Sequence, residues 1–205
     1  GQNTGGMGAY SPAPIINKIL ERKIISKIVE PTLRALREKK NAYTGFLYVG
    51  LMIKNDEPFL IEYNVRMGDP ECQVILPRLK TDLVKIIIAA LDNKLNKIKI
   101  KWSKNKCMTA VLCAKGYPNK YKINQIINLE KIKMDSKSLI FHAGTKIKNK
   151  SLVSHGGRVL NIVVLGSAFS NIRKKIFKII KKINWKHGFY RKDIGWRVIK
   201  FKWEL

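Results

Sequence analysis

The segment formed by residues 43–66 constrains the fold most. Residues 43–53 read Y-T-G-F-L-Y-V-G-L-M-I, and residues 58–66 read P-F-L-I-E-Y-N-V-R. Both are rich in β-branched and aromatic residues, and Lys54-Asn55-Asp56-Glu57 between them has turn composition, so a β-hairpin is predicted. The flanking segments have a different period. In residues 15–40, Ile16, Ile19, Leu20, Ile24, Ile28, Leu33 and Leu36 recur at helical spacing, with Pro31 interrupting, so two helices or one kinked helix are expected. Residues 81–91 form a helix with an apolar face and Thr81 as its N-cap. A polar, lysine-rich connection follows over residues 92–106. Beyond it come β-type runs at residues 107–114, 123–129, 138–143 and 159–165. Residues 167–183 are an amphipathic helix with Ile172, Ile176, Ile179, Ile180 and Ile183 on one side. The opening G-Q-N-T-G-G-M-G-A-Y-S-P-A-P is a loop in which Gly5, Gly6 and Gly8 permit close backbone approach. This mixture is an α+β protein. Its 205 residues suffice for a sizeable core, and the composition shift divides the chain into two units, 1–98 and 99–205.

Within the hairpin, Glu62, Asn64 and Arg66 alternate with Ile61, Tyr63 and Val65. Residues two apart in a strand share a face at ~7 Å spacing. A carboxylate and an amide oxygen so placed suit a hard cation such as Mg²⁺, which takes oxygen ligands and is commonly shared with nucleotide phosphates. A guanidinium at the strand end suits a carboxylate or phosphoryl group. On alternation alone, an ordinary half-wet strand face explains the same pattern better. The N-T-G-G-M-G-A loop could present backbone N–H groups to an anion. It matches neither the phosphate-binding loop nor the dinucleotide fingerprint, and a plain turn explains it equally well. H-A-G-T at 142–145 and H-G-G-R-V-L at 155–160 read as tight turns bounding strands, and R-K-D-I-G-W-R at 191–197 as a salt-bridge cluster around Asp193.

The formal net charge is +27. A nucleic-acid or anionic-membrane partner is one explanation. Lysine drift is the better one, because the bases are mostly Lys rather than Arg, are scattered, and accompany abundant Ile. The densest cluster, Lys174, Lys175, Lys178, Lys181 and Lys182, falls on the wet side of the last predicted helix. Nucleic acid is therefore not expected as a partner. Apolar runs such as 159–168 are far shorter than the ~20 residues of a membrane span. Cys72, Cys107 and Cys113 are odd in number without a C-x-x-C pair, so a reduced cytoplasmic setting fits. His142, His155 and His187 show no zinc spacing.

Six stretches occur in a fixed order: N-T-G-G-M-G-A-Y-S-P, Y-T-G-F-L-Y-V-G-L-M-I, I-E-Y-N-V-R-M-G-D-P-E, H-A-G-T, G-G-R-V-L and R-K-D-I-G-W-R. Together they resemble the C-terminal half of the phosphoribosylamine–glycine ligases, over residues 1 to about 197. The resemblance implies the C-terminal part of an ATP-grasp domain over 1–98 and a small mixed α/β C-terminal domain over 99–205. It implies ligation of glycine to 5-phosphoribosylamine through a glycyl phosphate, driven by ATP, with Mg²⁺ (or Mn²⁺) as metal. Metal and cationic donors would offset the repulsion between the anions that such chemistry brings together. By the same resemblance Glu62 and Asn64 are the metal ligands, Arg66 faces the transferring phosphoryl group or the glycine carboxylate, and Leu51 walls the nucleotide site. Asn3, Thr4, Gly5, Gly6, Met7 and Gly8 match the substrate-side loop. Asp69 and Glu71 receive no role.

Two departures stand out. Residues 44–53 contain no acid where many ATP-grasp enzymes carry a further metal-binding carboxylate. The chain also begins at Gly1, inside a motif, so a fragment lacking an N-terminal domain and lid subdomain is expected, inactive by itself and with exposed apolar surface in its first unit. A basic nucleic-acid-binding module and another ATP-grasp ligase are the alternatives.

Overall fold

The computed structural model describes residues 2 and 4–200. In chain order these form β1 (Gly8–Ser11), α1 (Lys18–Ile24), a π-helical turn (Ile25–Val29), α2 (Glu30–Glu38), β2 (Tyr48–Lys54), β3 (Glu57–Asn64), α3 (Cys72–Ile75) and α4 (Leu83–Leu91). They continue with β4 (Lys106–Ala114), β5 (Ser138–His142), β6 (Thr145–Lys148), β7 (Ser151–Ser154), β8 (Arg158–Gly166), α5 (Phe169–Ile180), β9 (Gly188–Phe189) and α6 (Trp196–Lys200). No helix among them is long and apolar enough to cross a membrane.

The elements group into two compact units that interleave along the sequence. Of the described residues, one holds those up to Pro12, Asp69–Arg78 and 103–200; the other holds Ala13–Gly68 and Leu79–Trp102. The linear division at 98/99 into an ATP-grasp part and a C-terminal domain stands as a proposal about ancestry, distinct from this spatial grouping.

The first unit is built on an antiparallel sheet in the order β1-β4-β8-β5, with β9 also pairing β4. β4 and β8 are buried along almost their whole length. Both faces of the sheet are covered, which is why these strands read as near-continuous apolar runs. One face, with Met108, Ala110, Leu112, Leu160, Ile162 and Val164, packs on Ile172, Ile176, Ile179 and Ile180 of α5, the side of that helix expected from the sequence. The opposite face carries Cys107, Val111, Cys113 and Val163, covered by Val74 of α3 and by Met7. Burial pushes the Cys107 and Cys113 thiols up to about 12.

Two expectations change in this unit. The opening loop contains β1, which pairs Gly8–Ser11 with Cys107–Ala110 of β4; so short a strand exists only because its partner is there. Residues 123–129, read as a strand, instead make isolated bridges from Ile126 to Val153 and from Asn128 to Asn184. A further hairpin, β6–β7, turns through Asn149 and Lys150, both in the left-handed region at φ 47° and 61°.

In the second unit, Asn17 caps α1 by accepting from the Leu20 amide at 2.8 Å. The stretch forms two α-helices, as expected, joined without a gap by the π-helical turn. Pro31 falls in the first turn of α2, directly after the π-helical turn. The cap of α4 is Asp82, which accepts from the Lys85 amide at 2.9 Å. Thr81 instead accepts from the Lys101 amide at 2.7 Å. The β2–β3 hairpin forms as predicted. Asn55 and Asp56 both take positive φ, 52° and 56°, as a two-residue turn matched to strand twist requires. Glu57 accepts from Lys23 at 2.5 Å and Lys27 at 2.7 Å, and Tyr63 hydroxyl pairs with Thr32. The hairpin leaves Met52, Phe59, Ile61 and Val65 exposed, Val65 at 74%. Exposed apolar surface is thus present within residues 1–98, where it was expected.

Candidate functional site

The predicted residues fall in two groups, one in each unit. In the hairpin, β3 carries one extra residue opposite the Gly50/Leu51 step, so the register shifts and Glu62 lies across from Gly50. A Cβ on Gly50 would stand 2.9 Å from Glu62 Cγ. The absence of a side chain at Gly50 is what lets the Glu62 side chain lie over β2. Beyond the bulge the strand alternation holds, and Asn64 Nδ2 donates to Glu62 Oε1 at 3.1 Å. That bond fixes the amide orientation. It leaves Glu62 Oε2 and Asn64 Oδ1 as two oxygen donors on neighbouring side chains.

These residues fit a hard divalent cation as a partial site. Both donors are oxygens, as Mg²⁺ prefers, and such an ion keeps several waters and shares phosphate oxygens. Among the described residues there is no cluster of three or more His, Cys, Asp or Glu side chains that would form an all-protein cage. Leu51 sits half-buried in β2, paired with Leu60. Arg66 lies past the end of β3, in the bend at residues 65–66, and its Nη1 donates to the Met67 carbonyl at 2.9 Å. Strand alternation, from which its shared face with Glu62 and Asn64 was inferred, does not reach it.

The second group surrounds the glycine-rich loop. Asn3 lies outside the described residues; Thr4 is half-buried and Gly5 exposed. Met7, 8% exposed, anchors the loop in the cluster with Val111 and Cys113, and its carbonyl accepts from the Val111 amide at 3.0 Å. The Gly5 amide donates to Tyr117 Oη at 3.0 Å. A Cβ on Gly6 would stand 2.3 Å from Pro70 Cδ, and one on Gly8 2.7 Å from Ile194 Cγ2. Gly6 and Gly8 are therefore required by close packing rather than by positive φ.

Arg158 ties this loop to another motif. Its Nη1 donates to the Gly6 carbonyl at 3.2 Å and to the Asp69 carbonyl at 2.9 Å, and its Nη2 to Asp69 Oδ2 at 2.7 Å. Gln73 Nε2 donates to the other Asp69 oxygen at 3.2 Å. Asp69, to which sequence reasoning assigned nothing, is thus a clamp for Arg158. Arg158 was noticed only as part of a turn. The turns bound strands, as expected, but neither closes a hairpin, because β5 pairs with β8 and β6 with β7; instead Ala143 and Gly144 amides donate to the Val159 and Arg158 carbonyls at 3.0 Å, and His155 amide to Gly144 carbonyl at 2.7 Å. What the sequence conceals is that three motifs, N-T-G-G-M-G, G-D-P-E and G-G-R-V-L, meet at one guanidinium. In the R-K-D-I-G-W-R segment the expected salt-bridge cluster forms around Asp193. Arg191 donates to both Asp193 oxygens, at 3.0 and 2.5 Å, and holds its carboxyl below the usual range. Arg173 donates to the Ile194 carbonyl at 2.8 Å.

Comparisons with known proteins agree on one family. Residues 1–72 match the family model described as phosphoribosylglycinamide synthetase, ATP-grasp (A) domain, and residues 107–197 match that of the phosphoribosylglycinamide synthetase C domain. A phosphoribosylamine–glycine ligase of Brucella melitensis is 42% identical over 201 residues, covering 98% of this chain and 47% of the relative. The chloroplastic phosphoribosylamine–glycine ligase of Arabidopsis thaliana is also 42% identical, over 98% of this chain and 39% of its own length. The crystal structure of the Thermotoga maritima phosphoribosylamine–glycine ligase superposes with a TM-score of 0.79 at 32% identity, covering 95% of this chain and 48% of that one. The chain spans about half the length of the curated relatives it matches. It belongs to the phosphoribosylglycinamide synthetase family, with sequence of both the ATP-grasp (A) domain and the C domain.

Proposed function

We propose that this chain is the C-terminal portion of a phosphoribosylamine–glycine ligase, acting in de novo purine synthesis. The observation that carries this reading is the joint match, along one chain, to the family's ATP-grasp and C domains. In the proposed reaction a glycine carboxylate oxygen attacks the γ-phosphorus of ATP and ADP leaves. The amine of 5-phosphoribosylamine then attacks the acyl carbon and phosphate leaves, giving glycinamide ribonucleotide. ATP, glycine and the phosphoribosylamine are the small-molecule partners, and the setting is cytoplasmic, although the Arabidopsis relative is named chloroplastic.

Glu62 and Asn64 would hold the divalent metal, Mg²⁺ with Mn²⁺ as the alternative, supported by the bond from Asn64 Nδ2 to Glu62 Oε1, which sets an oxygen of each side chain beside the other. The metal would offset the charge of the phosphates as the two anions approach. Arg66 would contact the phosphoryl group or the glycine carboxylate, and Leu51 would border the nucleotide. The Thr4–Gly8 backbone, with Asn3, would face the substrate, held by Arg158 and Tyr117 from behind. Covering only half the family's length, the chain is not expected to turn over unaided.

The test joins this chain to the N-terminal half of the Brucella melitensis relative and measures glycine-dependent ADP release. The fused enzyme should be active and Glu62→Gln should lose at least ~10²-fold in kcat, as removal of a metal or oxyanion-stabilising group does. An active fusion whose turnover survives Glu62→Gln would overturn the metal assignment, and an inactive, folded fusion would overturn the ligase reading.

A further inference from the structure

Part of the mostly lysine surplus gathers at one place in the fold. Lys174 and Lys178 are four residues apart on α5, so their backbone positions are about 6 Å apart along one side of the helix, and Lys182 follows just beyond its end. Lys175 stands beside them, and Lys133 reaches the same place from the segment after Leu129. With Asn171, Ile132 and Ile179 they enclose a groove of about 480 Å³. The two isoleucines make its apolar floor, Ile179 only 7% exposed.

Among the described residues no carboxylate lines the groove itself. Lys175 alone is matched, by Asp135 at 2.5 Å. Among the described residues, Lys133, Lys174, Lys178 and Lys182 form no ion pair. Like charges four apart on a helix repel weakly, and a bound anion would relieve that repulsion. A solvated helix face accounts for the lysines on α5. It does not account for Lys133, which adds a fourth unmatched charge from a separate segment. No aromatic ring lines the groove, so a ligand there has no surface on which a base could stack.

We propose that this groove binds linear inorganic polyphosphate by charge alone, independently of the ligase reading. The backbone of single-stranded RNA presents similar charge but gains affinity where bases can stack, which this groove does not offer, so RNA of matched charge should bind no more tightly. Four neutralised lysines correspond to a log–log salt slope of about −3, or roughly a 50-fold loss of affinity between about 50 and 200 mM salt.

The experiment follows fluorescence anisotropy of labelled linear polyphosphate and of a homopolymeric RNA of equal charge on the full chain. K174Q/K178Q/K182Q preserves helix propensity and is set against K146Q/K148Q/K150Q, three exposed lysines of the β6–β7 hairpin and its turn. Circular dichroism checks that both variants are folded. The proposal expects at least a tenfold loss and a slope near −1 for the groove variant only. Equal losses from both variants would reduce the effect to net charge and overturn the site. Much tighter binding of RNA than of polyphosphate would overturn recognition by charge alone. Absence of binding at about 50 mM salt would overturn the proposal outright.

Discussion

Arg158→Ala removes the side chain at which three separate motifs meet. Its guanidinium makes two bonds to backbone carbonyls, Gly6 at 3.2 Å and Asp69 at 2.9 Å, and one to the Asp69 carboxylate at 2.7 Å. Each carbonyl bond to a charged donor contributes about 1–1.5 kcal/mol net once water exchange is counted. The ion pair contributes less than its length suggests. Arg158 is 24% and Asp69 45% exposed, so solvent screening holds that part to about 0.5–1 kcal/mol. The expected loss is about 3 kcal/mol, or roughly 6–12 °C in Tm for a chain of this size. Thermal unfolding followed by circular dichroism measures it. A cycle with Asp69→Ala isolates the pair, with an expected coupling of about 0.5–1 kcal/mol. Arg158→Lys should recover less than half of the loss, since an ammonium cannot serve three acceptors in the planar fork geometry. A Tm drop under about 2 °C for Arg158→Ala, or strict additivity with Asp69→Ala, would refute the clamp.

Two further outcomes follow from the second unit. Gly50→Ala brings a Cβ to 2.9 Å from Glu62 Cγ; in the fused enzyme, Mn²⁺ affinity measured by electron paramagnetic resonance should fall roughly tenfold, as loss of ligand positioning does, and an unchanged affinity would separate Glu62 from the metal. Lys23 first, then Lys27, lowers the Glu57 carboxyl from 4.5 to about 2. Its folded-state value is depressed, so its contribution to stability is full above about pH 4.5 and disappears as pH falls towards 2. Glu57→Gln should flatten the acid limb of the stability curve in that window, and an unaltered limb would mean the pair is broken in solution.

Elements whose stability comes from a single continuous face were legible in the sequence. The α5 stripe of Ile172, Ile176, Ile179 and Ile180 packs where its period placed it. The hairpin turn at Asn55-Asp56 follows from local backbone preference. Elements that depend on remote partners were not legible. β1 is four residues of an apparent loop, and it becomes a strand only against β4 about 100 residues later. The α4 cap moved from Thr81 to Asp82 because Thr81 is occupied by the Lys101 amide across the connection. The 123–129 run has strand composition, yet only isolated bridges form along it.

The candidate site divides along the same line. The order of six motifs in the chain pointed to the family, and Glu62 with Asn64 could be paired by alternation because both lie on one strand after the bulge. Arg66 lies in the bend beyond that strand, where alternation carries no information. The role of Asp69 was invisible, since its partner Arg158 is 89 positions away. The sequence by itself determined periodicity, turns and the identity of the motifs, all properties of neighbouring residues. Only the tertiary structure decided that Gly6, Asp69 and Arg158 form one cluster and that Lys133 joins the lysines of α5, because a hydrogen bond or a shared field depends on distance in space and not along the chain.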